Sequence, residues 1–149
     1  MDNIFDAYAT DVKAEEEGTE IELRNGAKIR IRSENSTKVR NFIARLVRKQ
    51  RNIILREGGS LPAELQDKNE IDICAEVLVV GWSNVVGPQG EIAYTKQRCR
   101  ELVTALPALR RDILMQARLE DTFKKQEAEE MSGNSVAPSG AGSAPAQDS

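Results

Sequence analysis

Hydrophobic positions along this 149-residue chain follow two periods, and the switch between them marks its elements. Ile21 and Leu23 alternate with charged residues, Asn25-Gly26 interrupts, and Ala27, Ile29 and Ile31 resume the alternation. Two period-2 runs around Asn-Gly predict a β-hairpin over 19–32 with a type I′ turn, in which both central residues take positive φ. Its apolar face has to lie on helices, because an isolated hairpin is marginal in water. Beyond the cap cluster Asn35-Ser36-Thr37 the period becomes helical. Val39, Phe42, Ile43, Leu46, Val47, Ile53 and Ile54 form one stripe with Gln50 in its middle, and Gly58-Gly59 ends it. Lys38, Arg40, Arg45, Arg48, Lys49, Arg51 and Arg56 all fall outside that stripe, so the helix is apolar below and cationic above.

Pro62 suits the first turn of a short helix over 61–68. Ile71 to Trp82 then reads as a helix buried all round, because Val77 to Val80 are apolar whether wound at 100° or at 180° per residue. A loop over 83–94 follows, with Val85, Val86, Ile92 and Tyr94 available to tuck against Trp82. Thr95 caps a helix striped by Cys99, Leu102, Val103 and Leu106, and Pro107 opens another striped by Leu109, Ile113, Ala117 and Phe123. Gln116 and Glu120 interrupt the last stripe, which predicts partial exposure or a partner that covers it. Residues 1–18 form an acidic arm around Ile4, Phe5, Tyr8 and Val12, and residues 131–149, rich in Ser, Gly, Ala and Pro, are expected to be a disordered tail. The fold class predicted is α+β, mostly α: one domain over 19–130, with the hairpin on about four helices between roughly 36 and 128.

Charge changes the picture more than composition does. The net charge of −3 hides a segregation: residues 1–23 hold eight acids and one base, residues 24–56 eleven bases and one acid. The acidic segment is expected to fold over the basic helix, or else the helix presents its cations to an acidic protein partner. Nucleic acid is the weaker reading, since Phe42 is the one aromatic near those cations and lies on the apolar stripe, leaving no stacking platform. The chain has no histidine, which removes the commonest general base and metal ligand. Cys74 and Cys99 lie on apolar sides of predicted helices, far from any Cys-x-x-Cys spacing, and read as small buried hydrophobes. Asp72 and Glu76 flank the apolar run and read as ion-paired rather than catalytic, and Gly87-Pro88-Gln89-Gly90 lacks the spacing of a phosphate loop. No enzymatic activity, cofactor or metal is therefore expected. No apolar run approaches the roughly 18 residues that span a membrane, and the acidic start lacks the features of a signal peptide.

An apolar helix ending in Gly81-Trp82, then Asn84-Val85, a turn at Gly87–Gly90, a Tyr94-Thr95 helix start, and Leu102 through Leu106-Pro107-Ala108-Leu109 followed by a helix reaching Phe123 resembles the tail assembly chaperones of long-tailed bacteriophages. That resemblance covers about a third of the chain, from Ile71 to Phe123. It implies a non-enzymatic protein of the host cytoplasm that binds and solubilises the tape-measure protein, helps recruit tail-tube subunits and is absent from the mature virion. It also implies, as further partners, a longer frameshifted form of the same chain and other copies of it; the tail after Met131 would suit a linker at the frameshift.

A chaperone for an amphipathic helix needs an apolar groove with a charged rim and no chemistry. Exposure and pattern nominate Trp82, Val85, Tyr94, Leu109, Ile113 and Phe123 for the apolar part, and Arg45, Arg48 and Arg51 for the charged part. Two alternatives compete: a non-specific nucleic-acid-binding protein using the basic helix 38–56, and a structural virion or tail-completion component.

Overall fold

A computed structural model describes residues 3–124, and the expected tail over 131–149 lies outside the described residues. The arm consists of two short helices, α1 (Ile4–Tyr8) and α2 (Val12–Glu17), started by Asn3 and Asp11, whose side chains accept from the N–H groups of Asp6 and Ala14. Gly18 ends α2 at φ +105° and turns the chain into strand β1 (Thr19–Glu22), which pairs antiparallel with β2 (Lys28–Ile31). The expected hairpin is there, but its turn differs from type I′. Gly26 alone of the Asn-Gly pair has positive φ, its N–H donates to Leu23 O, and Leu23 pairs with Ala27, so the loop is the three-residue Arg24-Asn25-Gly26. A type I turn closed by a glycine in the left-handed region satisfies the same dipeptide.

Ser36 caps α3 (Thr37–Lys49), and a break at Gln50 separates it from α4 (Arg51–Arg56) where one continuous helix was expected. Gln50, the polar residue inside the apolar stripe, exchanges two amide hydrogen bonds with Asn69 (2.9 and 2.7 Å) on α5 (Ala63–Ile73). The helix expected over 71–82 is present only in its first part and is not buried all round, since Ile71 to Ile73, Glu76 and Val77 are half-buried. After Ile73 the chain makes a π-turn (Cys74–Leu78) and enters strand β3 (Val79–Ser83), so Gly81 and Trp82 stand on a strand, not at a helix end. An apolar run fits both conformations, and tertiary context decides. β2 offers a free edge, β-branched Val79 and Val80 suit it, and the two pair antiparallel to complete a sheet of order β1-β2-β3, bulged at Val80.

The 83–94 segment is not all loop. Val86–Gly87 (β4) and Gly90–Glu91 (β5) form a two-stranded ribbon around Pro88-Gln89. Thr95 caps α6 (Lys96–Ala105), accepting from Arg98 N, and Pro107 opens α7 (Pro107–Arg118), both as expected. α7 stops at Arg118, short of the expected Phe123. A 3-10 turn (Glu120–Phe123) then swings Phe123 inward.

One core joins these pieces. Ile21, Ile29 and Ile31 from the sheet meet Cys74, Leu78 and Val79, with Cys99 and Val103 of α6, Ile113 and Ala117 of α7, and Phe123. Cys74 and Cys99 are free and buried, as their apolar settings predicted. The fold is therefore the α+β, mostly helical domain expected from the periodicities. By contrast, no residue from Arg40 to Ile73 is fully buried. The helices α3 to α5 hold their apolar stripe only half covered.

Candidate functional site

Three separated segments enclose an apolar groove of about 350 Å³. The hairpin end supplies Leu23, Ala27 and Ile29, the ribbon Val85, Val86 and Ile92, and the α6–α7 joint Leu102, Leu106 and Leu109. Val86 is 61% and Leu106 49% exposed, so the walls present side chains that no segment of the described chain covers. At one edge Arg24 and Asp112 form an exposed ion pair (3.1 Å).

The ribbon is held from behind. Trp82 Nε1–H donates to the Ile92 carbonyl (2.8 Å), its ring meets Tyr94 edge-on (centroids 5.0 Å apart, planes at 88°), and Tyr94 O–H donates to the Val79 carbonyl (3.2 Å). An aromatic pair with both polar ends satisfied is a rigid prop. Gly87 lies so close to Ile92 that an added Cβ would stand 2.9 Å from its Cδ1, so the two sides of the ribbon pack tightly on each other. The opposite wall depends on Arg110, which is 6% exposed. Its Nη1 donates to the Val103 carbonyl (2.9 Å) across the Leu106-Pro107 joint, while Nε and Nη2 reach Glu70 and Asp67 of α5.

Of the residues nominated from sequence, Val85 and Leu109 line the groove, and Trp82 and Tyr94 support it without lining it. Ile113 and Phe123, expected on a partly exposed stripe, are each 1% exposed and belong to the core. Gln116, one of the polar residues that interrupt the stripe, accepts from Thr122 Oγ1 and steadies the turn that buries Phe123. Arg45, Arg48 and Arg51 lie elsewhere, on α3 and α4, none of whose residues lines the groove. Sequence reasoning missed Leu106 as a wall residue; its signal was a leucine at the joint between two helices, just before the proline.

The charge segregation resolves only in part. Lys28 pairs with Glu20 at 3.8 Å within the hairpin, and Arg30 and Arg32 donate to the carbonyls of Gly18 and Glu16 at the end of α2, where a cation meets the negative end of the helix. The helix cations do not share in this. Lys38, Arg40, Arg45, Arg48, Lys49, Arg51 and Arg56 are exposed and form no ion pair among the described residues, so the acidic segment does not cover them as expected. Arg45 instead lies over the Phe42 ring, 5.6 Å from its centre.

Asp72 and Glu76 are ion-paired, as read from the sequence: Arg100 bridges them at 2.6 and 3.0 Å, and Lys68 joins Asp72. Burial pushes the Asp72 carboxyl up, but the hydrogen bonds and charges of Arg100 and Lys68 outweigh it and hold the group below the ordinary aspartate value. Burial raises the Cys74 thiol to about 12 and the Cys99 thiol to about 11, so both stay protonated near neutrality. Among the described residues no three His, Cys, Asp or Glu side chains cluster as a metal site would require, and no helix is long and apolar enough to cross a membrane.

A family model described as YdaY prophage protein matches residues 33–134, about two-thirds of the chain. The chain belongs to the YdaY prophage protein family. It is therefore phage-derived, and the match takes in α3 through α7, with the basic helices, the ribbon and the α6–α7 wall of the groove. The arm and the hairpin precede the matched span. No curated protein and no solved structure matches the chain.

Proposed function

We propose that this prophage protein is a tail assembly chaperone: in the host cytoplasm it holds an amphipathic segment of the tape-measure protein, keeps it soluble, and helps bring tail-tube subunits to it. The observation that carries the reading is the groove, in which aliphatic side chains from the hairpin, ribbon and α6–α7 joint stand open beside one exposed ion pair. A helix with apolar residues at three- and four-residue steps would lay that face against Leu106, Leu109 and Val86, leaving its polar face in water. The lining is aliphatic and the two thiols are protonated and buried elsewhere, so binding, not chemistry, is what this surface offers. Membership of a prophage family and the motif order from Gly81 to Phe123 support placing that binding in tail morphogenesis.

The test is co-expression with a tape-measure protein from the same genome, measuring the soluble fraction and co-purification, with Leu106→Asp and Val86→Asp as groove variants. Both residues are about half or more exposed, so the variants are expected to fold while losing the client. A tape-measure protein that aggregates equally with and without wild-type chain sinks the reading. Recovery of this chain from purified mature particles would favour a structural virion role instead.

A further inference from the structure

We infer that copies of this chain associate by laying the acidic arm of one on the basic α3–α4 surface of the next. Two unpartnered surfaces carry the inference. On the arm, Ile4, Phe5, Tyr8 and Val12 are 65, 80, 68 and 66% exposed, four large apolar side chains within nine residues that touch no core. A conformation with two capped helices is being held with its apolar side in water, which is the pattern of a segment that docks. Asp6 and Glu17 on the same arm form no ion pair among the described residues.

The second surface is its complement. Val47 (52%) and Leu55 (71%) are exposed on α3 and α4 beside Arg48, Lys49, Arg51 and Arg56. Exposed valine and leucine among the cations distinguish the occupant: a phosphate backbone has nothing to place on them, whereas an acidic segment with Ile, Phe and Tyr has. The arm is acidic and the α3–α4 segment basic, with six acids and one base over 1–18 against seven bases and no acid over 37–56. Within one chain the arm meets α3 only at its start, where Glu16 accepts from Thr37, and is otherwise tied to other elements. Asp11 N donates to the Phe123 carbonyl, Ser33 N to the Glu15 carbonyl, and Thr10 bridges Lys124. An arm so anchored leaves its own α3–α4 cations unmatched, and a second copy supplies the match. The contact joins unlike surfaces, so reciprocal exchange closes a dimer and one-way docking builds a ring or an open filament.

The experiment is sedimentation velocity on the full chain, freed of nucleic acid, with Phe5→Ser as the arm variant and Arg48→Glu with Arg51→Glu as the face variant. All three residues are exposed, and unchanged circular dichroism checks that each variant folds. Wild type is expected to associate at low ionic strength and to weaken as salt screens the contact. Each variant alone is expected to associate at least about tenfold more weakly. Mixing the two should restore a pairwise complex, because the face variant still has its arm and the arm variant still has its face. Leu106→Asp, in the groove, should leave association unchanged, which separates this contact from the proposed client site. The inference fails if wild type stays monomeric at low salt, if both variants associate like wild type, if their mixture stays monomeric, or if Leu106→Asp abolishes association. It also fails if wild type is monomeric but binds random-sequence DNA through Arg48 and Arg51.

Discussion

Arg110 is the one charged residue buried among the described residues, and replacing it by methionine separates two accounts of what it does. Its ion-pair partners are open to water, the Asp67 side chain 64% and that of Glu70 42% exposed. Exposed pairs of this kind contribute at most about 1 kcal/mol each, because the carboxylates regain hydration when the arginine leaves. The Val103 carbonyl cannot, since that residue is 1% exposed, and an orphaned buried acceptor costs about 1–3 kcal/mol. Methionine refills most of the stem, which keeps the cavity penalty small. Arg110→Met is therefore expected to lose about 2–3 kcal/mol, most of it from the carbonyl. Asp67→Asn and Glu70→Gln alone should each lose less than about 1 kcal/mol. Together they strand a buried guanidinium and should cost more than their sum, roughly 2–4 kcal/mol. Urea unfolding followed by the fluorescence of Trp82, the only tryptophan, reads all four variants at a common slope. If Arg110→Met costs less than about 0.5 kcal/mol while either carboxylate variant costs more, the ion pairs hold the joint and the carbonyl argument is wrong. Because the same bond spans Leu106-Pro107, a loosened joint should, under the proposed function, also lower the soluble yield of co-expressed tape-measure protein.

Other expectations follow from single sites. At Gly18, φ is +105° and an added Cβ would stand 3.0 Å from Val80 Cγ2 and 3.2 Å from the Ile31 carbonyl, so Gly18→Ala should cost about 1–3 kcal/mol in thermal or urea unfolding. Asp72 has a folded value held below its unfolded one, so its stabilisation is present above about pH 4 and is lost as pH falls through the folded value. Wild type should exceed Asp72→Asn in stability at pH 7, and the gap should close on acidification; a gap independent of pH would refute the assignment. The Cys74 and Cys99 thiols, raised to about 12 and about 11, should react with a disulfide reagent at pH 8 only at the rate of unfolding, and immediately in denaturant.

What the sequence discloses depends on how far apart the deciding residues lie. The caps at Ser36 and Thr95 and the opening Pro107 are local devices, and each acts where it was read. Spacing fixed the hairpin, but its turn type depends on the register that pairs Leu23 with Ala27, which Asn-Gly alone leaves open. Ile71 to Trp82 is apolar in either period, and the partner that makes its second half a strand is β2, some fifty residues earlier in the chain. Val85 and Leu109 could be nominated for the groove because loops and broken stripes mark exposure. The groove itself draws on residues from Leu23 to Asp112, and no window of the sequence contains it. Ile113 and Phe123 misled because a polar interruption looks the same whether it faces a partner or ends a helix.

The passage from α5 through the π-turn into β3 contains no loop. From Ala63 to Ser83 the backbone runs helix, turn and strand in succession, and its middle, Cys74, Ala75 and Leu78, is gripped by the core at 0–1% exposure. Such a piece behaves as a beam clamped at its centre. One end carries Asn69, the anchor of the α3–α4 break; the other carries Trp82, the prop of the ribbon. The cationic surface and the apolar groove thus stand on two ends of one stiff member, and a load placed on either is borne by the same clamp.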